Sequence, residues 1–231
     1  MHATQETKVV PFSLQQRLPF TIRVARSERQ LLGAVQIRHA AYARHVPAIA
    51  ERLQLPEPPD RDAGAAVLLA EAKLDGAPLG TMRIETNRER PLAIEQSVAL
   101  PPWLRRRGLA EATRLGVCAS RVGRIVKIML FKAFYQYCRQ AGIDWMVIGA
   151  RSPLDRQYEA LLFRDVFPGR GFVPLAHAAN LPHRILGFDL ETAEARWRQA
   201  AHPLYALFCH TEHPDIDLRI QEAAQPCEAA A

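Results

Sequence analysis

The sequence predicts a mixed α/β fold of the α+β kind: one central mixed sheet flanked by helices, in a single domain. Three observations predict it. Apolar residues alternate in "PFTIRVAR" and on both sides of an Asp75-Gly76 turn, the period of half-buried strands. A helical apolar period runs from Ile125 to Cys138. The continuous apolar run "DWMVIGA" suits a central strand covered on both faces.

In chain order, residues 1–18 read as a flexible lead-in and 19–216 as the domain. Phe20, Ile22 and Val24 form the first strand. Ser27 followed by Gln30 is a capping-box pattern, opening a helix over "ERQLLGAVQIRHAAYARH". Arg38 and Tyr42, four apart, are neighbours on that helix. "LPEPPDRDAG" is a loop. Val67 to Lys73 and Leu79 to Glu85 pair as a hairpin. A loop with a short helix leads to "EATRLGVCA", read as a strand. "GRIVKIMLFKAFYQYCRQAG" is a helix stopped by Gly142. "DWMVIGA" is a strand, "DRQYEALLFR" a short helix, "GRGF" a turn and "HRILGFDLE" a strand. Residues from 192 to Phe208 read as helix, and 217–231 as a frayed tail. The order β-α-β-β-β-α-β-α-β-α carries no internal repeat.

The chain has 231 residues, 48% hydrophobic and 23% charged, enough apolar material for one sizeable core. No apolar run of about 18 residues suggests a membrane span, and the N-terminus lacks signal-peptide character. Cys118, Cys138, Cys209 and Cys227 form no CxxC and read as reduced thiols of a cytoplasmic protein. The formal net charge of +6 invites an anionic partner. Its basic residues gather in Arg105, Arg106 and Arg107, and in Arg121, Arg124 and Lys127. A nucleic-acid partner is not expected, because no helix-turn-helix, zinc-finger or RNA-recognition pattern is present.

"EATRLGV" sets Glu111 and Arg114 in a segment that otherwise reads as a buried strand, where charges must be paired or used. Three apart on a regular strand, they point to opposite faces, and a bulge would change that. Glu111 is either a proton acceptor with a raised pKa or a buried anchor pairing with Arg83 or Arg38. Arg114 either contacts substrate or pairs with an acid at 60–62. Arg38 and Arg83 are candidates to bind a carboxylate through paired N–H donors; the alternative for Arg38 is an ordinary helix-surface residue. Trp145, Met146, Ile148, Met129, Phe131 and Phe163 line an apolar tunnel or simply fill the core. His210 and His213 are too few for a metal site and are read as tail packing; no metal is expected.

The order of elements resembles the GNAT acyltransferases, and within them the FeeM-type long-chain N-acyl amino acid synthases, relatives of the acyl-homoserine lactone synthases. Arg38 with Tyr42, Asp60 and Asp62, "GTMRI" around Arg83, "EATRLGV", and the tail "HPLYALFCHTEHPDI" carry the resemblance over residues 22–216. It implies transfer of a fatty acyl chain from acyl carrier protein to the amine of an amino acid. Glu111 and Arg114 would then be catalytic, with Arg38, Tyr42 and Arg83 binding the acceptor. Arg105–Arg107, Arg121, Gly123, Arg124 and Lys127 would flank the thioester entrance. No tightly bound cofactor is implied: acyl carrier protein is the co-substrate, with acyl-coenzyme A the alternative. The stretch "ASRVGRIVK" has a single glycine where coenzyme-A-using relatives carry a glycine-rich pyrophosphate loop, which favours the carrier protein. The lactone-synthase branch and a coenzyme-A-dependent acetyltransferase are the alternative enzymes. A catalytically silent module binding an acidic partner is the non-enzyme alternative.

Overall fold

The computed structural model describes residues 14–219. Strands β1 (Leu14–Gln15) and β2 (Phe20–Val24) precede helix α1 (Glu28–Ala43) and the turn-long α2 (Pro47–Ala50). Strands β3 (Ala65–Ala72) and β4 (Pro78–Thr86) form the expected hairpin. Helix α3 (Pro102–Arg105) leads into β5 (Leu109–Val117), followed by α4 (Arg121–Gln140) and β6 (Trp145–Ala150). Then come α5 (Leu154–Ala160), β7 (Arg164–Asp165), β8 (Val173–Leu175) and β9 (Leu181–Asp189). The chain closes with α6 (Ala193–Gln199), α7 (Tyr205–Cys209), β10 (Thr211–Glu212) and β11 (Ile216–Asp217).

The main sheet runs β11-β2-β3-β4-β5-β6-β9-β7, with β8 also paired to β9. Its centre is antiparallel except for β5 and β6, which run side by side in parallel. The capping box at Ser27 starts α1 as expected, with Gln30 N–H donating to Ser27 Oγ. Helix α4 begins earlier than "GRIVK", because Ser120 caps it by accepting from Gly123 N–H at 3.2 Å. The helix expected over the tail splits into α6 and α7, with Pro203 between them.

Two boundaries move. Residues 14–18 are not a lead-in: β1 pairs with β10, and Leu18 is buried with its N–H on Asp215. Residues 217–219 likewise belong to the domain, since β11 adds to the sheet edge and Leu218 is buried. The outer parts of both termini, and Cys227, lie outside the described residues. Cys118, Cys138 and Cys209 are free thiols. Among the described residues no helix is long and apolar enough to cross a membrane.

The sheet divides the core. On one face α4 lies so close to β4 that a Cβ on Gly80 would stand 2.6 Å from Val126. Met82, Ile84, Ala110 and Ala112 meet Val126, Met129 and Leu130 there. On the other face α1 packs on β3 through Leu31, Ala34, Val67 and Leu69. Farther along that second face, Ile94, Leu109, Val147, Leu175 and Ile185 form a separate apolar cluster. Between these two clusters lies a charged strip on β4 and β5.

Candidate active site

The strip forms because alternation puts Arg83, Glu85, Glu111 and Thr113 on one face, with Arg83 opposite Thr113 and Glu85 opposite Glu111. Beyond Thr113 the register shifts. Arg114 takes the left-handed conformation, φ 54°, and β5 bulges. The bulge overturns the opposite-face expectation: Arg114 reaches the same side as Glu111. Pairing of β5 with β6 stops at Ala112 and Ile148, so the parallel strands part where the bulge begins. Along Thr113–Gly116 the β6 side of β5 has no strand partner among the described residues.

Three arginines meet three acids here. Arg38 is fully buried, so it is no surface residue, and its guanidinium donates to both oxygens of Asp60 at 2.8 and 2.9 Å. Arg83 donates to Glu85 (2.9 Å), Glu57 (2.9 Å) and Asp60 (3.1 Å). Arg114 grips Glu57 through Nε and Nη2, both at 2.6 Å, and also donates to the His177 carbonyl. Its acid partner is therefore Glu57 rather than a residue at 60–62. Arg90 ties Asp62 and Glu85 to the rim. Such groups are tolerated in a buried place because each charge has a hydrogen-bonded partner, forked in the Arg38–Asp60 and Arg114–Glu57 pairs. The neighbouring guanidiniums hold Glu57 and Asp60 below the usual carboxylate range despite burial. Tyr42 is half-buried one turn beyond Arg38 on α1.

Glu111 stands apart from this network. It is fully buried and makes no ion pair with Arg83 or Arg38, so the anchor reading in that form is corrected. One oxygen accepts from Ile94 N–H at 3.1 Å. The other has no hydrogen-bond partner among the described residues and faces the His177 ring, 3.7 Å from Nε2. Burial pushes the Glu111 carboxyl up to about 8. Burial, with Arg114 nearby, pushes His177 down to about 4. Both shifts favour the uncharged forms, a protonated carboxyl beside a neutral imidazole. His177 sits on the turn Ala176–Ala178, followed by Ala179 and Asn180 at φ 55° and 57°. Left-handed non-glycine residues on both sides of one acid are held by surrounding structure, as at functional sites. His177, Glu57 and Glu85 were not legible as site residues, because only the tertiary fold gathers them.

No family model matches the chain, and no curated protein matches it by sequence. Solved structures do. FeeM, an N-acyl amino acid synthase from uncultured soil microbes, superposes with a TM-score of 0.59 at 14% identity, covering 78% of this chain and 96% of that one. A protein of Desulfovibrio desulfuricans described as a GNAT-family acetyltransferase superposes at 0.52 with 13% identity, covering 74% of this chain and 99% of that one. The chain has the GNAT fold. A Lactobacillus plantarum protein described as an N-acetyltransferase agrees, at 0.53 and 16% identity over 75% of this chain and 99% of that one.

Within this fold the basic residues do not form one surface. Arg121 and Arg124 are exposed at the start of α4, next to the parting of β5 and β6, with Lys127 donating to Gln157 at 2.5 Å. Arg105, Arg106 and Arg107 precede β5 and so lie at the opposite end of that strand. They do not flank the same entrance. Arg107 instead lines a surface cleft of about 430 Å³ with Arg139, Asp144 and Trp145. Gly123 has a packing reason of its own, since a Cβ would stand 2.0 Å from the Cys118 carbonyl oxygen. Val122 and Ile125 are also exposed there, 37% and 50%, so the patch is basic and apolar together.

The supposed tunnel residues separate too. Alternation along β6 sends Trp145 to one face, against Trp103, and Met146 and Ile148 to the other. Phe131, Met146 and Phe163 surround an internal cavity of only about 10 Å³, so they are packed core in this structure. His213 accepts from Lys132 at 2.8 Å, and His210 packs edge-on against Tyr205, in keeping with tail packing. Among the described residues no three His, Cys, Asp or Glu side chains gather as metal ligands.

Proposed function

We propose that this GNAT-fold chain is an N-acyltransferase that moves a fatty acyl group from the phosphopantetheine thioester of acyl carrier protein to the amine of an amino acid. One observation carries the reading: Glu111 holds a buried carboxyl oxygen, unpartnered among the described residues, on the strand that parts from β6. The amine nitrogen attacks the thioester carbonyl carbon and forms the C–N bond. The C–S bond then breaks, and the thiol leaves with the proton the amine gives up. Ionised Glu111 accepts that proton, and neutral His177 beside it, 13% exposed, offers a path to and from solvent. Backbone N–H groups of Thr113–Gly116 without strand partners on the β6 side are suited to the tetrahedral oxyanion. The exposed Arg121 and Arg124, with Val122 and Ile125, suit an acidic, partly apolar carrier protein. The likeness to FeeM, an N-acyl amino acid synthase, supports the same choice through the fold.

The test is purified chain incubated with acyl carrier proteins of graded chain length and a mixture of amino acids, read by mass spectrometry. The expected product has the mass of an N-acyl amino acid. Consumption of acetyl-coenzyme A alone would remove the carrier protein. No product with any donor would favour a silent module.

A further inference from the structure

One member of the arginine–acid network differs from the rest. Arg38, Arg83, Arg114, Asp60 and Glu85 have side chains no more than 8% exposed, whereas Glu57 is 20% exposed and reaches in from a loop. Its carboxylate takes the Arg114 fork at 2.6 Å and Arg83 at 2.9 Å, and lies 3.5 Å from Arg38. Three guanidiniums on α1, β4 and β5 thus converge on one carboxylate that belongs to none of those elements. The loop backbone has bonds of its own besides that side chain: Glu57 N–H donates to the Asp60 carboxylate, and Asp60 N–H donates to the Glu57 carbonyl. Pro56, Pro58 and Pro59 restrict it further.

We propose that Glu57 is a resident stand-in and that the cradle of Arg114, Arg83 and Arg38 is a binding site for the carboxylate of an incoming monocarboxylate ligand, which displaces Glu57 by side-chain rotation. The charge count requires exchange rather than addition. With Glu57 seated, three arginines face Glu57, Asp60 and Glu85; a further carboxylate would leave an unmatched anion in a nearly closed place. The guanidinium fork that holds Glu57 presents the same two parallel donors to any carboxylate. An α-amino acid seated there carries its amine two bonds away, beside the strand that holds Glu111. That last step rests on the acyl-transfer reading; the carboxylate site does not.

The experiment uses full-length Glu57→Ala and Glu57→Gln chains. Thermal unfolding midpoints are followed against sodium acetate, glycine and, at matched ionic strength, sodium chloride and ethylammonium chloride. Acetate and glycine should raise the midpoint of both variants saturably, the chlorides should not, and the wild type should respond less than half as strongly. Should the alanine chain fail to fold, the glutamine chain, which keeps an acceptor oxygen, carries the comparison. Equal responses to acetate and chloride, or a wild type as responsive as the variants, would overturn the proposal. In turnover, Glu57→Gln should lower the KM for an amino acid by about tenfold, if the open cradle is populated about a tenth of the time in the wild type. The KM for the decarboxylated amine should stay unchanged. Carboxylate-specific stabilisation without turnover would sink acyl transfer and leave the site standing; turnover without that stabilisation would sink the site.

Discussion

Replacing Glu111 with Gln should change how stability depends on pH more than it changes stability itself. The ordinary carboxyl value of 4.5 rises to about 8 in the fold, chiefly through burial. Below pH 4.5 the folded and unfolded chains both hold the proton. Between 4.5 and 8 the unfolded chain releases it while the folded chain keeps it, so stability falls as pH rises. Above 8 both are ionised, and this contribution is flat. Each tenfold change in proton affinity is worth about 1.4 kcal/mol, so the full span is on the order of 5 kcal/mol. Glutamine has no proton to lose, yet its carbonyl can still accept from Ile94 N–H. Urea unfolding of both chains at pH 5, 6.5, 8 and 9 gives the difference directly. The other titrating groups are common to both and cancel. Relative to Glu111→Gln, the wild type should lose roughly 1.4 kcal/mol per pH unit up to 8. Parallel profiles would show that Glu111 is already ionised in the fold and would refute the burial argument. In turnover the same titration should make the wild-type rate climb through pH 8, with Glu111→Gln losing most of it.

Gly123→Ala should destabilise by roughly 1–3 kcal/mol or more in a urea titration, since its Cβ would meet the Cys118 carbonyl, which is backbone and cannot rotate away. Lys132 is buried on α4 and donates to the carbonyls of Leu207 and Thr211 and to His213. Lys132→Met leaves those acceptors unmatched, at a cost of about 1–3 kcal/mol, and should speed proteolysis after α6 before the rest of the chain is cut. Arg121→Glu with Arg124→Glu should raise the KM for acyl carrier protein and flatten its salt dependence. Reversing Arg105, Arg106 and Arg107 should leave that KM unchanged, and an equal effect of both sets would return the two patches to one docking face.

The elements that bury apolar residues with a clear period were legible: the β3–β4 hairpin, α4 and β6 declare themselves through local spacing. Arg38, Arg83 and Arg114 were legible singly as candidate site residues, and Asp60 as an acid of the loop beside them. That they share one network, and that Glu57, Glu85 and His177 belong to it, was not. Glu57 lies in a proline loop whose pattern says only that the chain turns, and His177 lies 66 positions beyond Glu111, a separation no local period can register. The basic cluster misled for a related reason. Arg107 and Arg121 are close in sequence, but a nine-residue strand between them carries the second far from the first.

The bulge at Arg114 links the two halves of the site. It turns the Arg114 side chain onto the Glu111 face, and pairing with β6 ends beside it. A left-handed conformation is unfavourable for any residue with a Cβ, so the Glu57 ion pair has to offset it. Backbone and side-chain parts can be separated with two substitutions. Arg114→Ala and Arg114→Gly both lose the guanidinium and leave Glu57 facing Arg83 and Arg38. Only glycine accepts φ 54° without steric penalty. Arg114→Gly should therefore be more stable than Arg114→Ala by about 1 kcal/mol in urea unfolding, against the usual order of these residues within a strand. If alanine proves the more stable of the two, the backbone at this position is not left-handed, and the bulge loses its place as the cause of the parting strands.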